Sequence, residues 1–126
     1  MSRSTLANAI AELVALFTNG TIPAISGVDA VYDHLPPAGT LDAGVTVAVF
    51  LVGVDANFWH LAVRVHTVQG QDAKGAQDRL ASLLPAIDTL TNTGAFGPAA
   101  WAFEYPTADP WVYTATCVYE VGRQDI

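Results

Sequence analysis

Val45-Thr-Val-Ala-Val-Phe-Leu-Val52 and Leu61-Ala-Val-Arg-Val-His-Thr-Val68 decide the fold of this chain. Both runs are dense in β-branched residues, which pack well on a pleated surface. In the second run Leu61, Val63 and Val65 share one face, while His60, Arg64 and His66 share the other. A sheet dry on one side and at least partly wet on the other is therefore expected. Gly53 to His60, which holds the turn formers Asp55 and Asn57, predicts a hairpin of moderate length between the runs.

Helical periodicity flanks this pair. Leu6, Ile10, Leu13, Val14 and Phe17 recur at three-to-four spacing, with Ser4 or Thr5 placed to cap the start and Gly20 to end the helix in a left-handed conformation. Past the second run, Ala76, Leu80, Leu83, Leu84, Ile87 and Leu90 form a second stripe, with Asp72 as the expected cap. Pro85 removes a donor inside that stripe, so a kink or a second short helix is predicted, followed by a loop over Asn92 to Pro98. Trp101 to Tyr105 and Trp111 to Val121 then read as two strands joined by a turn holding Pro106, Asp109 and Pro110.

The stretch from Thr21 to Gly44 is irregular, with prolines at Pro23, Pro36 and Pro37. It nevertheless carries Ile22, Ile25, Val28, Val31, Tyr32 and Leu35, too many apolar groups for a solvated linker. It reads as an ordered arm with a short edge strand over Val28 to Asp33, packed through Val31 and Tyr32 on a sheet edge or a neighbouring subunit. The order is thus helix, arm, two strands, helix, two strands. That order predicts one α+β domain over residues 1–126, with an antiparallel or mixed sheet of four to five strands and two main helices packed on one face.

Composition narrows the function. The chain has 126 residues, enough to bury roughly two-thirds of its unfolded surface without a metal or disulfide. Charged residues are 13% and hydrophobic ones 52%, against about 25% charged in ordinary domains. A surface short of charge leaves apolar area for contacts with other subunits. Net charge is −7, with only five basic residues and no basic run. Direct nucleic-acid recognition is therefore not expected. The longest apolar run, Val45 to Val54, is about half of a membrane span, and the N-terminal pattern suits an amphipathic helix better than a signal peptide. The single cysteine, Cys117, lies in an apolar alternation and reads as a buried thiol in an intracellular protein.

No catalytic pattern is visible. His34, His60 and His66 lack metal-site spacing, and His60 and His66 would lie about 20 Å apart along one extended strand, which suits surface or rim histidines. Asp29 and Asp33 lack the spacing of a calcium loop and suit a solvated patch. The four serines sit on no nucleophile elbow, and Gly94-Ala-Phe-Gly97 precedes Pro98 and a strand rather than a helix. No enzyme activity, cofactor or metal is expected. The aromatics of the strands lack the basic neighbours that base-stacking proteins supply, so they read as core or subunit interface.

The helix, the Val28-Asp-Ala-Val-Tyr-Asp-His-Leu-Pro36 arm, the strand pair, the Ala76-Gln-Asp-Arg-Leu-Ala-Ser-Leu-Leu84 helix and the closing Trp111-Val-Tyr-Thr-Ala-Thr-Cys-Val-Tyr-Glu120 strand together resemble the tail terminator (tail completion) subunits of long-tailed bacteriophages, particularly those of actinobacterial hosts. The likeness is one of layout over nearly the whole chain. It implies a structural virion protein forming a homo-hexameric ring on the head-proximal end of the tail tube, assembled in the host cytoplasm. Its partners would be its own copies, the tail tube protein and the head–tail connector or neck protein. Other readings are a head-closure or neck protein of the same virion, and a small-molecule-binding α+β domain with Trp and Tyr lining a pocket. Interface residues are expected at Val31 and Tyr32 in the arm, at Asp55, Asn57, Phe58 and Trp59 on the hairpin tip, and at Phe96 in the loop before the third strand.

Overall fold

The structure, a computed structural model, describes residues 5–20, 22–35, 44–68, 73–93, 100–107 and 112–123. Its centre is the hairpin of β4 (Gly44–Val54) and β5 (Phe58–Val68). Val47 lies opposite Val65 and Val49 opposite Val63, and all four are fully buried. β7 (Val112–Gly122) pairs with β5 along its whole length and adds Ala115, Cys117, Tyr119 and Val121 to the same face. β6 (Ala102–Thr107) lies outside β7, and β3 (Ala30–Tyr32) lies outside β4. The sheet order is β3-β4-β5-β7-β6. Only the β3–β4 pair is parallel, so the sheet is mixed and the fold is α+β.

Both helices cover one face of this sheet. In α1 (Leu6–Phe17) the Thr5 hydroxyl accepts the Asn8 N–H, and Ala9, Leu13 and Phe17 are buried. In α2 (Ala73–Thr93) Ala76, Leu80, Leu83 and Ile87 are buried. Burying one Leu, Ile or Val contributes about 1.5–3 kcal/mol, so this face supplies most of the drive to fold. Three polar contacts hold α2 in place. The Thr67 hydroxyl donates to the Ala76 carbonyl, the Tyr119 hydroxyl donates to the Thr91 hydroxyl, and the Trp101 indole donates to Asp88. Burial pushes the Tyr119 hydroxyl well above its ordinary pKa and the Cys117 thiol up to about 11.

Several local expectations are corrected. α2 is one helix through Pro85, which lies on its exposed side, and it continues over Asn92 and Thr93. The only backbone donor lost is the one that Ala81 would have accepted. Gly20 does adopt a left-handed φ of 72°, but it turns the chain between β1 (Thr18–Asn19) and β2 (Ile22–Pro23). The helix itself ends on an extended Thr18. β4 and β5 run closer together than expected, leaving Asp55 to Asn57 as the turn, and a bulge lies between Leu51 and Gly53. β6 starts after Trp101 and runs through Pro106, where its register with β7 is irregular. The Asp72 cap and the loop from Gly94 to Pro98 lie outside the described residues.

The arm is pinned at Asp29. Its N–H donates to the Val45 carbonyl, and its carboxylate accepts the Val45 N–H at 2.8 Å. Gly44 makes this possible: its φ is +147°, and a Cβ there would meet an Asp29 carboxylate oxygen at 2.5 Å. Gly44→Ala is therefore expected to cost about 1–3 kcal/mol, from backbone strain and displacement of that carboxylate. Thermal unfolding of Gly44→Ala, Asp29→Ala and the double variant checks this. The double variant should lose less than the sum of the singles, because the clash needs both groups.

Candidate interaction surface

The β4–β5 hairpin end combines a tightly bonded turn with uncovered apolar side chains. The Asp55 carboxylate accepts the Asn57 N–H at 2.7 Å and the Phe58 N–H at 2.8 Å through one oxygen. Its other oxygen meets His60 Nε2 at 2.8 Å. The Asp55 N–H donates to the Phe58 carbonyl, closing the turn. Arg123, beyond the end of β7, reaches the same turn: its N–H donates to the Asn57 carbonyl and its guanidinium to the Asp55 carbonyl. That guanidinium also lies over the Trp59 ring, 4.9 Å from its centroid.

Around this polar hub Leu51, Val52, Val54 and Phe58 are all more than a third exposed. Trp59 is not part of that collar. It pairs with Val121 and belongs to the core, 8% exposed, whereas Phe58 is 38% exposed. Adjacent residues on a strand point to opposite faces, so the two rings cannot serve the same surface. The sequence placed both at the tip, and only Phe58 is presented there.

Of the remaining expected contact residues, Val31 and Tyr32 lie away from the hairpin end and take the sheet-edge position expected of the arm. Val31 packs against the core of its own subunit and pairs with Val47, while Tyr32 pairs with Ala48 and stacks edge-on against His34. Phe96 lies outside the described residues. The outer sheet face, which no helix among the described residues covers, is less open than the alternation suggested. Ala48 and Ala62 are fully buried there, and Arg64 lies over Phe50 while bonding to Glu104 and Thr116. His66 is half-buried rather than on the rim. Its Nδ1 shares a hydrogen bond with Thr114, and its Nε2 is buried with no partner among the described residues. Burial, aided by Arg64, lowers its pKa and favours the neutral ring.

Asp29 and Asp33 do not converge. Asp29 is engaged with Val45, and Asp33 is bonded to His34, which lowers its pKa. Among the described residues no three potential ligands come together around a metal position, and no helix is long and apolar enough to cross a membrane. A groove of about 440 Å³ between residues 24–26 and α2 is lined by Ile25, Leu83, Leu90 and small residues. A second of about 420 Å³ runs along α1 beside Asp33. Neither has the Trp or Tyr lining that a small-molecule pocket was expected to have.

No family model matches the sequence, and no curated protein matches it.

The Asp55 carboxyl is held below its ordinary pKa, first by the Asn57 N–H and then by His60 and the Phe58 N–H. A carboxyl easier to ionise in the folded turn than in the unfolded chain stabilises the fold above its unfolded pKa of about 4. That contribution is lost as pH falls through the folded value. Amide exchange is the measurement. The Asn57 and Phe58 amides are expected to lose protection below about pH 4, and Asp55→Ala should reproduce the loss at neutral pH while the centre of β5 stays protected.

Proposed function

We propose that the chain is a structural subunit of a bacteriophage tail, a tail terminator whose copies close into a six-membered ring on the head-proximal end of the tail tube. The ring stops tube growth and offers its other side to the head–tail connector or neck protein. The observation that carries this reading is the hairpin end. A subunit that caps a polymer has to present a preformed apolar element, and Phe58 stands exposed beside a turn held by Asp55 and Arg123, on the face of β5 opposite Trp59. The domain's own core is complete without it, since Trp59, Leu61 and Val121 fill it beneath the turn. The low charge content and the order of elements support the same reading.

On this reading Phe58 is a docking residue and Trp59 a folding residue. Phe58→Ala should leave the melting temperature within a few degrees of the parent. With purified tube protein it should fail to cap, giving tubes of uncontrolled length in electron micrographs. Trp59→Ala should cost about 3–5 kcal/mol and lower the melting temperature by roughly 10 °C or more. Normal length control by Phe58→Ala would refute the docking role.

A further inference from the structure

β4 is eleven residues long, but β3 pairs only with Thr46, Val47 and Ala48. From Val49 to Val54 the outer edge of β4 has no strand partner among the described residues. Open edges are usually blunted by lysine, by proline or by a covering segment. Val49-Phe-Leu-Val-Gly-Val54 has no charge and no proline, and Leu51, Val52 and Val54 are 39%, 51% and 50% exposed.

The other edge of the sheet is β6, where Phe103 is 58% exposed, more than any other large apolar side chain among the described residues. β4 and β5, β5 and β7, and β7 and β6 are each antiparallel, so β6 runs opposite to β4. Two copies placed side by side in the same orientation therefore bring β6 of one antiparallel to β4 of the next. Faces match as well. Phe103 pairs with Ala115 on the helix-covered face, and on that face Leu51 pairs with Leu61 and Val54 with Trp59. Pro106 has no N–H, which limits the new ladder to the residues of β6 before it. Those four, Ala102 to Tyr105, fit within the positions of β4, Val49 to Val54, that have no strand partner among the described residues.

We infer that β6 of a second copy of this chain adds to the Val49–Val54 edge of β4, with Phe103 seated against Leu51 or Val54, so that copies join head to tail through one continuous sheet. Such a heterologous contact repeats around a rotation axis and closes a ring when the rotation allows. The inference rests on the ring proposed above only for the number of copies.

Cross-linking of the full chain at millimolar concentration tests it. Leu51→Cys and Val54→Cys are each combined with Phe103→Cys; the native Cys117 is buried and, with a thiol near 11, stays silent. Mild oxidation should give a ladder of covalent oligomers from at least one double variant, whereas single variants should give dimers at most. Val52→Lys and, from the opposite edge, Phe103→Lys should keep the parental melting temperature. Each should weaken self-association at least roughly tenfold, about 1.4 kcal/mol. Oligomers that form without a ladder, or that survive both lysine variants, would place the contact elsewhere and overturn the pairing while leaving the ring intact. A strictly monomeric chain would overturn the pairing outright. A ladder abolished by lysine in a protein that does not cap tubes would uphold the pairing and overturn the terminator reading.

Discussion

Val47 and Val49 stand against Val65 and Val63 across two neighbouring strands, with Val45 and Leu61 on the same face, all fully excluded from water. The rest of the molecule is arranged around keeping that face dry. The two helices lie over it, β7 widens it with Ala115, Cys117, Tyr119 and Val121, and the arm is tied to its edge at Asp29. The few polar groups beneath the helices, Thr67, Thr91 and Tyr119, all have hydrogen-bond partners, as a low-dielectric interior requires. Because strand side chains repeat with a period of two, a one-residue slip of β4 against β5 would turn every one of these valines outward. Register and core are therefore one constraint.

That constraint is why the sheet and its helical cover were legible in the sequence. Val45 to Val52 and Leu61 to Val68 could be nothing but strands, and the stripes containing Leu13 and Leu80 could only face them. Boundaries were less legible. Pro85 lies on the exposed side of α2, where one missing hydrogen bond does not outweigh the buried stripe, so the helix passes through it. Val54 and Phe58 extend the hairpin because the Asp55 carboxylate can satisfy two turn amides, and no residue spacing foretells that. Nor does spacing foretell the tie between the Asp29 carboxylate and Val45, made beside Gly44 across sixteen residues.

The candidate surface was half legible. Trp59 shares the phase of Leu61, Val63 and Val65, so the alternation that defined β5 already assigned it to the core and Phe58 to the outside. Treating the two rings as one tip overlooked that phase. Leu51, Val52 and Val54 look like core in the sequence. They are exposed because a bulge breaks the alternation at Leu51 and because the helices do not cover the hairpin end. Arg123 gave no signal at all, since its place over Trp59 follows from pairing at the far end of β7.

Arg123 also carries a consequence for timing. It bonds to a turn residue 68 positions earlier. Contacts across such separations form late, because a long loop has to close before they can contribute. The β4–β5 hairpin can pair as soon as its own residues meet, yet its turn acquires its second clamp only after β7 has docked along β5. An incompletely folded chain would thus carry the apolar collar on a loosely held tip. The turn is then fully clamped only once the last strand is in place, and its completion becomes a late step of folding.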